Sequence, residues 1–408
     1  MTPTGAISTA EDVLSVLTRI RWKSKESTAM PETVASTNWA LKHMPLTTLA
    51  VRELQPLLTG KRLAMCLHVE PKTAALVTLL VEAGMDVHLT GSPGTTHDDV
   101  AAGLQDLGVS VFTRRSDDER DHVRNIARVL ECDPDITLDN GADLTMSLLA
   151  SGTRAGYLGG TEETTTGGLR LRETVAELGK PVIVINDSPL KLMVENEFGV
   201  GQSVVQGFMN ATNLMVPGTR AAVLGYGPCG KGVADTLSKL GARVSVCDTD
   251  PMRALHAILN GHQVGPAAEV LADAKVVFTA TGREGVIGAA ELAALPDGAV
   301  LAGVGHFAWE IDKAALKAAT VRTVEYAEPA RRTGYVLRGG REIVLLDQGR
   351  MLNLTAANGN SIQAMDLGLT LQARSLGAVC AGGLAPEVQP VPSDVERRIA
   401  TDLVSLLA

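Results

Sequence analysis

A short apolar run, Ala221-Ala222-Val223-Leu224, leads into Gly225-Tyr226-Gly227-Pro228-Cys229-Gly230, and a helix-forming stretch, Gly232–Leu240, follows at once. A lone GxGxxG can be no more than a structural turn, but strand, glycine loop and helix in that order suit a dinucleotide. The first glycine permits the tight turn, the second lets backbone approach a pyrophosphate, and the third lets helix and strand pack closely. The helix N-terminus then offers N–H groups and positive dipole to the phosphates. Asp248 closes the next strand, 23 residues after Gly225, where a carboxylate accepts bonds from a ribose diol and repels a 2′-phosphate. Gly225, Gly227, Gly230 and Asp248 therefore predict NAD rather than NADP. The run Thr95-Thr96-His97-Asp98-Asp99 reads most simply as an acidic first helical turn facing the helix dipole. A metal on His97, Asp98 and Asp99 is the weaker reading, no CxxC or Cys/His cluster is present, and no metal is expected.

The elements around these residues follow a strand-helix rhythm. Apolar strands are expected at Arg62–Val69, Asp86–Gly91, Ser110–Thr113, Ile136–Asn140 and Val182–Asn186, with amphipathic helices such as Thr73–Ala83 and Asp98–Leu107 between them. Such alternation predicts a parallel sheet covered on both faces. A helix over Val200–Leu214, closed by Pro217-Gly218, marks the domain boundary. A second rhythm follows through Ala221–Leu224, Arg243–Cys247, Val276–Ala280, Ala299–Val304 and Ile343–Leu346. Beyond Asn358-Gly359-Asn360 a helical pattern, Ile362–Ala373, could cross back to the first domain. Before Leu58 the chain is polar and helix-forming, with Trp39 and Met44 available to dock it onto the body.

At 408 residues two domains are the expectation. With 45% hydrophobic and 20% charged residues the composition is globular, and aromatics at 3% against 41 glycines imply an aliphatic interior with many tight turns. A net charge of −9 without a basic, aromatic-studded stripe argues against nucleic acid. No apolar run of about 18 residues and no signal-like start are present, so no membrane partner is expected and the predicted location is cytoplasmic. The five scattered cysteines read as reduced core thiols.

The neighbourhood of Lys191 is more specific. Asn186-Asp187-Ser188-Pro189-Leu190-Lys191, Glu195-Asn196, Gly225-Tyr226-Gly227-Pro228-Cys229-Gly230-Lys231-Gly232 and Gly241-Ala242-Arg243-Val244 resemble the S-adenosyl-L-homocysteine hydrolase family. Further matches occur in the family's order: Cys66-Leu67-His68, Leu138-Asp139-Asn140-Gly141-Ala142-Asp143-Leu144-Thr145, Glu162-Glu163-Thr164-Thr165-Thr166-Gly167, Gly303-Val304-Gly305-His306-Phe307 and Gly349-Arg350-Met351-Leu352-Asn353-Leu354. They span about Trp39 to Gln363, most of the chain.

The resemblance implies an α/β protein of two doubly wound parallel-sheet domains, a Rossmann NAD domain inserted into a discontinuous substrate domain. The expected limits are 1–198 with 360–385 for the substrate domain, 199–359 for the NAD domain, and 386–408 as a C-terminal tail, with the active site in the cleft between the domains. It also implies the chemistry. The C4′–H of a ribose resists removal, so C3′ is first oxidised onto NAD, the ketone acidifies C4′–H, the 5′ substituent is eliminated, water adds, and the ketone is reduced by the stored hydride. Lys191 matches the lysine that helps deprotonate the 3′-hydroxyl, and Glu163 the carboxylate that holds the ribose hydroxyls. Thr164, Thr165 and Thr166 match residues that reach NAD, although threonine-rich turns also cap helices. Glu195 stands where the family has Asp, and Asn196 is retained. His68 and His306 match the histidines near the 5′ leaving group. Arg350 and Asn353 fall near the amino-acid end of the thioether and the cofactor.

The departures concentrate at the same site. Asn140 stands in place of the second aspartate of the family's Asp-Asp-Gly-Gly-Asp run, and an amide cannot carry a proton as a carboxylate does. Around the base, where the family has Thr then Glu, this chain has Glu70 and Lys72, with Thr73 next. Lysine cannot accept from an exocyclic amine and suits a carbonyl-bearing base better. The family's Ser-Thr-Gln-Asp is here Thr95-Thr96-His97-Asp98, Asn360 replaces a histidine, Val200 replaces a cysteine, and the Lys/Tyr-bearing tail is absent. These features predict a divergent paralogue: an NAD-dependent hydrolase of a 5′-substituted nucleoside, most simply a thioether such as S-adenosylhomocysteine, of the kind found in one-carbon metabolism. A small-molecule nucleoside is the expected partner, in a dimer or tetramer. The alternatives are a 3′-oxidising nucleoside epimerase, lyase or oxidase, a non-catalytic NAD- and nucleoside-binding regulator, and, more weakly, a hydroxy-acid dehydrogenase.

Overall fold

The computed structural model describes residues 32–152, 156–174, 178–305, 308–326 and 331–407. They form two compact units: residues up to Lys191 together with those from Met365 on, and Leu192–Ala364.

In the first unit the strands are β1 (Arg62–Cys66), β2 (Asp86–Thr90), β3 (Ser110–Val111), β4 (Ile136–Asp139), β5 (Gly159–Glu162) and β6 (Val182–Val184). The second unit carries β7 (Arg220–Leu224), β8 (Arg243–Cys247), β9 (Gln263–Val264), β10 (Val276–Thr279), β11 (Ala299–Gly303), β12 (Thr320–Glu325), β13 (Arg332–Leu337) and β14 (Glu342–Leu346), and β15 (Val388–Pro390) returns to the first. Among the described residues the first sheet runs β15-β6-β5-β4-β1-β2-β3, all parallel. The second runs β12-β13-β14-β11-β10-β7-β8-β9, parallel except that β13 opposes both its neighbours.

The first sheet has the order 3-2-1-4-5-6 of dinucleotide-binding folds, followed by β15, and the second shares its 3-2-1-4-5 part before β14 and the β13–β12 pair, with the chain reversing direction between the first and fourth strands of each. That reversal lies between β1 and β4 in one unit and between β7 and β10 in the other. Loops leaving the carboxyl ends of these pairs diverge and open a crevice, which is where open α/β sheets take their ligands. The aliphatic interior expected from composition is present: Ala64, Cys66, Leu144, Leu148 and Val182 in the first unit, and Val223, Val246, Phe278 and Ala302 in the second.

The strands read from sequence end a residue or more earlier than expected, because His68, Gly91 and Asn140 already belong to the crevice loops. Residues 386–408, set apart as a tail by the sequence, contribute β15 and the helix Ser393–Leu407 to the first unit. The segment before Leu58 forms the helices Glu32–Lys42 and Pro45–Leu58. Met44 between them is fully buried, but Trp39 is 57% exposed and stacks on His43 instead of docking. The helix Ile362–Ala381 runs further than its sequence pattern suggested, and its residues from Met365 on belong to the first unit.

Candidate functional site

In the first unit the crevice loops carry the chemistry. Lys191 is 3% exposed, at the end of the short helix Pro189–Lys191 that follows β6. Its ammonium donates to the Glu163 side chain and, at 2.9 Å, to the Glu163 backbone carbonyl. Glu163, just beyond β5, is itself buried, and its second carboxylate oxygen accepts from the Gln372 amide. A carboxylate and an amine removed from water are tolerable only as a pair with further hydrogen bonds, and here both conditions hold.

A second carboxylate organises the loops. Glu162, fully buried, accepts from the backbone N–H groups of Gly141 (3.0 Å), Ala142 (2.9 Å) and Thr164 (2.7 Å) and from the Thr164 hydroxyl (2.6 Å). It thereby ties the loop after β4 to the loop after β5. Ala142 has φ of 69°, a left-handed conformation that costs a side-chain-bearing residue about 1 kcal/mol, and the Glu162 bond holds it there. Asp139 accepts from Asn140 N–H (3.0 Å) and Thr145 N–H (2.9 Å). Burial pushes the Asp139 carboxyl up to about 6, and burial with the charge of Asp139 pushes Glu162 up to about 8. Asn140 is buried, and its side-chain Oδ1 has no protein partner among the described residues. A buried amide oxygen without a protein donor is what a ligand hydroxyl satisfies.

After β1, Glu70 caps the helix Pro71–Glu82 by accepting from Lys72 N–H at 3.2 Å, and its carboxylate pairs with Lys72 Nζ at 2.9 Å. Both are buried, as is Thr73, while His68 is half-buried. Asp98 departs from the expected substrate contact: it is exposed, and its carboxylate accepts from Arg115 N–H at 2.7 Å, so it serves as the acidic first turn and braces a neighbouring loop. Thr164 also takes a structural part, its hydroxyl accepting from Gly167 N–H at 2.9 Å to start the helix Thr165–Thr174. Thr165 is exposed and bonded to Asn186, and Thr166 is half-buried.

The second unit supplies the dinucleotide cradle. Gly225 has φ of 94°, and a Cβ there would lie 2.7 Å from the Ala280 carbonyl after β10. A Cβ on Gly230 would lie 1.9 Å from the Gly225 carbonyl. Gly227, by contrast, faces open space apart from the Arg253 guanidinium and caps the helix Pro228–Lys239. Asp248 follows β8 and accepts from Tyr226 N–H (2.6 Å) and Asp250 N–H (2.8 Å), which fixes its carboxylate beside the glycine turn. Glycine at the two crowded positions, an open third and an oriented acceptor fit a dinucleotide with a free ribose diol. Glu195 and Asn196 lie on the π-helical stretch Leu192–Gly199, Glu195 buried. Asn353, buried, donates to Asn360 Oδ1 at 3.5 Å, and Ser203 donates to the same oxygen at 3.0 Å. Arg350 is bound to the buried Asp347 at 2.6 Å, its own side chain 54% exposed. His306 lies outside the described residues. Lys191, Glu163, Asn140, His68, Glu70, Lys72 and Thr73 thus share the first unit, and Glu195, Asn196, Arg350, Asn353 and Asn360 the second. The sequence did not single out Glu162, Asp139, Gln372 or His122. For the first two, the signal was a carboxylate ending an otherwise apolar or glycine-rich strand.

Two parallel sheets, one with a buried amine-carboxylate pair on the loops after β5 and β6 and one with a dinucleotide turn at its reversal, define the class: an NAD-dependent α/β enzyme. Comparison with known proteins agrees. Residues 38–158 match the family model for S-adenosyl-L-homocysteine hydrolase, and residues 196–359 match the model for that family's NAD binding domain. The chain is 38% identical over 374 residues to the adenosylhomocysteinase of Thermotoga maritima, covering 89% of this chain and 92% of the relative. It is 38% identical over 376 residues to the S-inosyl-L-homocysteine hydrolase of Methanopyrus kandleri, covering 89% and 87%. A solved dipicolinate synthase polypeptide from Bacillus halodurans shares the fold alone, with a TM-score of 0.50 at 15% identity over 80% of this chain and all of that one. The chain belongs to the S-adenosyl-L-homocysteine hydrolase family. It is an NAD-dependent hydrolase, and among the described residues no helix is long and apolar enough to cross a membrane.

Proposed function

We propose that the protein hydrolyses a nucleoside 5′-thioether by 3′-oxidation, elimination at C5′ and addition of water. The observation that carries this reading is the buried Lys191–Glu163 pair at the carboxyl edge of the first sheet. Lys191, removed from water and held by the Glu163 side chain, places its amine to take the proton of the 3′-hydroxyl. Bound NAD would supply the redox equivalents for oxidation and re-reduction at C3′. Gly225, Gly227, Gly230 and Asp248 would hold the cofactor's pyrophosphate and ribose diol, with Asn353 as a further polar contact. Glu163 orients the ribose hydroxyls, and Gln372 keeps its carboxylate turned toward Lys191. Asn140 accepts from a sugar hydroxyl through its buried Oδ1. His68 and His306 exchange protons with the departing thiolate and the incoming water. Glu195 and Asn196 support the amine's proton transfer, and Arg350, Asn360, Thr165 and Thr166 line the substrate and cofactor ends.

Lys72 offers only donors, and Glu70 beside it only acceptors. A base presenting a carbonyl and a ring N–H therefore pairs with Lys72 and Glu70 respectively, which favours S-inosylhomocysteine over S-adenosylhomocysteine. The test is thiol release by the NAD-loaded protein from both thioethers and from their 3′-deoxy analogues. Release from the parent compounds and none from the 3′-deoxy forms is expected. Equal release with and without the 3′-hydroxyl contradicts 3′-oxidation.

Asn140 favours a second reading, since it stands where the family carries a carboxylate. A 3′-oxidising epimerase or lyase would convert the nucleoside without a hydrolytic product, and a regulator would bind NAD and nucleoside without turnover. Product analysis of the same reactions separates these from a hydrolase.

A further inference from the structure

The helix Glu119–Leu130 packs on β1 and β2 and carries one buried histidine, His122, 7% exposed. Both its ring nitrogens face acceptors. Nδ1 lies 3.1 Å from the Gly91 carbonyl at the end of β2, and Nε2 lies 3.1 Å from Asp143 Oδ2 at the start of the helix following Asn140. A neutral imidazole has one N–H and can donate to only one of these partners, whereas an imidazolium donates to both.

Gly91 follows β2 and Asp143 follows β4, the strands on either side of β1. A Cβ on Gly91 would meet Thr96, Thr113 and Val69, and Val69, which accepts from His97 N–H, leads directly into Glu70 and Lys72. Asp143 ends the Asn140–Asp143 loop on the other side, and Arg170 donates to Asp143 (2.9 Å) and to the Gly141 carbonyl. We propose that protonated His122 is a cross-tie between the base-side and sugar-side walls, a positioning residue that sets the Asn140–Asp143 loop for the nucleoside. This rests on the proposed nucleoside chemistry of that crevice.

The charges around the ring favour the cation. Asp143 faces it from one helix and Glu119 from its own. Behind Asp143 stand Arg170 and the buried Asp139 of β4, with the Cys66 thiol of β1 also within reach of the Asp143 charge. Burial works against the charge, but Asp143, the Gly91 carbonyl and Glu119 outweigh it and hold His122 above its ordinary value. Burial likewise opposes ionisation of Asp143, and His122 and Arg170 hold it below the usual carboxylate range. Raising the pH removes the proton, breaks one of the two ties and leaves the loop attached on one side.

The test combines ring ¹⁵N NMR of the NAD-loaded full chain with calorimetric binding of the S-inosyl and S-adenosyl thioethers between pH 6 and 9. Both ring nitrogens of His122 are expected to be protonated at pH 6, the low end of that range, and thioether affinity should fall with the same midpoint as the ring titrates. His122→Phe should weaken binding about tenfold and remove that pH dependence while leaving NAD content unchanged. Should this variant fail to fold, coincidence of the two wild-type midpoints still decides. A His122 already neutral at pH 6, or affinity that ignores its titration, overturns the cross-tie. Tight, pH-dependent binding without thiol release overturns the proposed hydrolysis and leaves the cross-tie standing. Binding of neither thioether at any pH overturns both.

Discussion

Lys191 and Glu163 are each costly to bury alone, and their coexistence makes a prediction about stability that is independent of chemistry. Glu163→Gln leaves the buried ammonium facing a neutral amide and should cost about 3–5 kcal/mol in urea unfolding. Adding Lys191→Met removes the stranded charge, so the double variant should recover most of that loss. A double variant as unstable as the single one would mean that the pair is not electrostatically coupled. Gln372 belongs to the same group through its bond to Glu163, yet one polar residue among several on its helix, with Asp366, Thr370 and Arg374 nearby, gives no sign of its partner. The Lys191 and Glu163 motifs were legible because their neighbours resemble a known family. Asp98 was carried over on the same basis, but its carboxylate is spent on the Arg115 backbone.

At the scale of elements, close approach of backbones decides where glycine is required. The π-helical stretch Leu192–Gly199 and the helix Pro228–Lys239 meet where a Cβ on Gly232 would lie 1.9 Å from the Glu197 carbonyl, and Lys231 bonds across the same contact to Glu197 and along its own helix to Asp235. Gly232→Ala should therefore force these elements apart, lower stability by at least about 1–3 kcal/mol and reduce NAD content on purification. Unchanged NAD content and Tm would show that the contact can yield.

Elements that are nearly continuous apolar runs, such as β7 and β10, could be located from sequence because a parallel strand covered on both faces has that pattern. β5 could not, since Gly159-Gly160-Thr161-Glu162 has no apolar side chain and poor strand propensity. Its glycines answer to neighbours instead: a Cβ on Gly160 would sit 2.1 Å from Thr137 Oγ1, and one on Gly159 would sit 2.3 Å from the Pro181 carbonyl. β12, β13 and β15 escaped notice for a different reason, being edge or near-edge strands with mixed polarity.

For the whole molecule, the first unit concentrates buried acids with raised values: Asp139 and Asp366 up to about 6 and Glu162 up to about 8, burial being the leading cause in each. A carboxyl whose folded value exceeds its unfolded one stabilises fully below about pH 4 and loses that contribution as pH rises through the folded value. His122, also raised, has the same sign. Tm should therefore fall between about pH 5 and pH 9, with each kcal/mol read as roughly 2–4 °C. A Tm that rises over that interval would contradict the buried acids' assigned protonation. The central claim concerns Lys191, and the direct measurement is anaerobic mixing of NAD-loaded wild type and Lys191→Met with the two thioethers while recording the reduced-dinucleotide absorbance. Wild type should show that band transiently and Lys191→Met, with equal NAD content, should not. A band of equal rate and size in the variant would contradict the account.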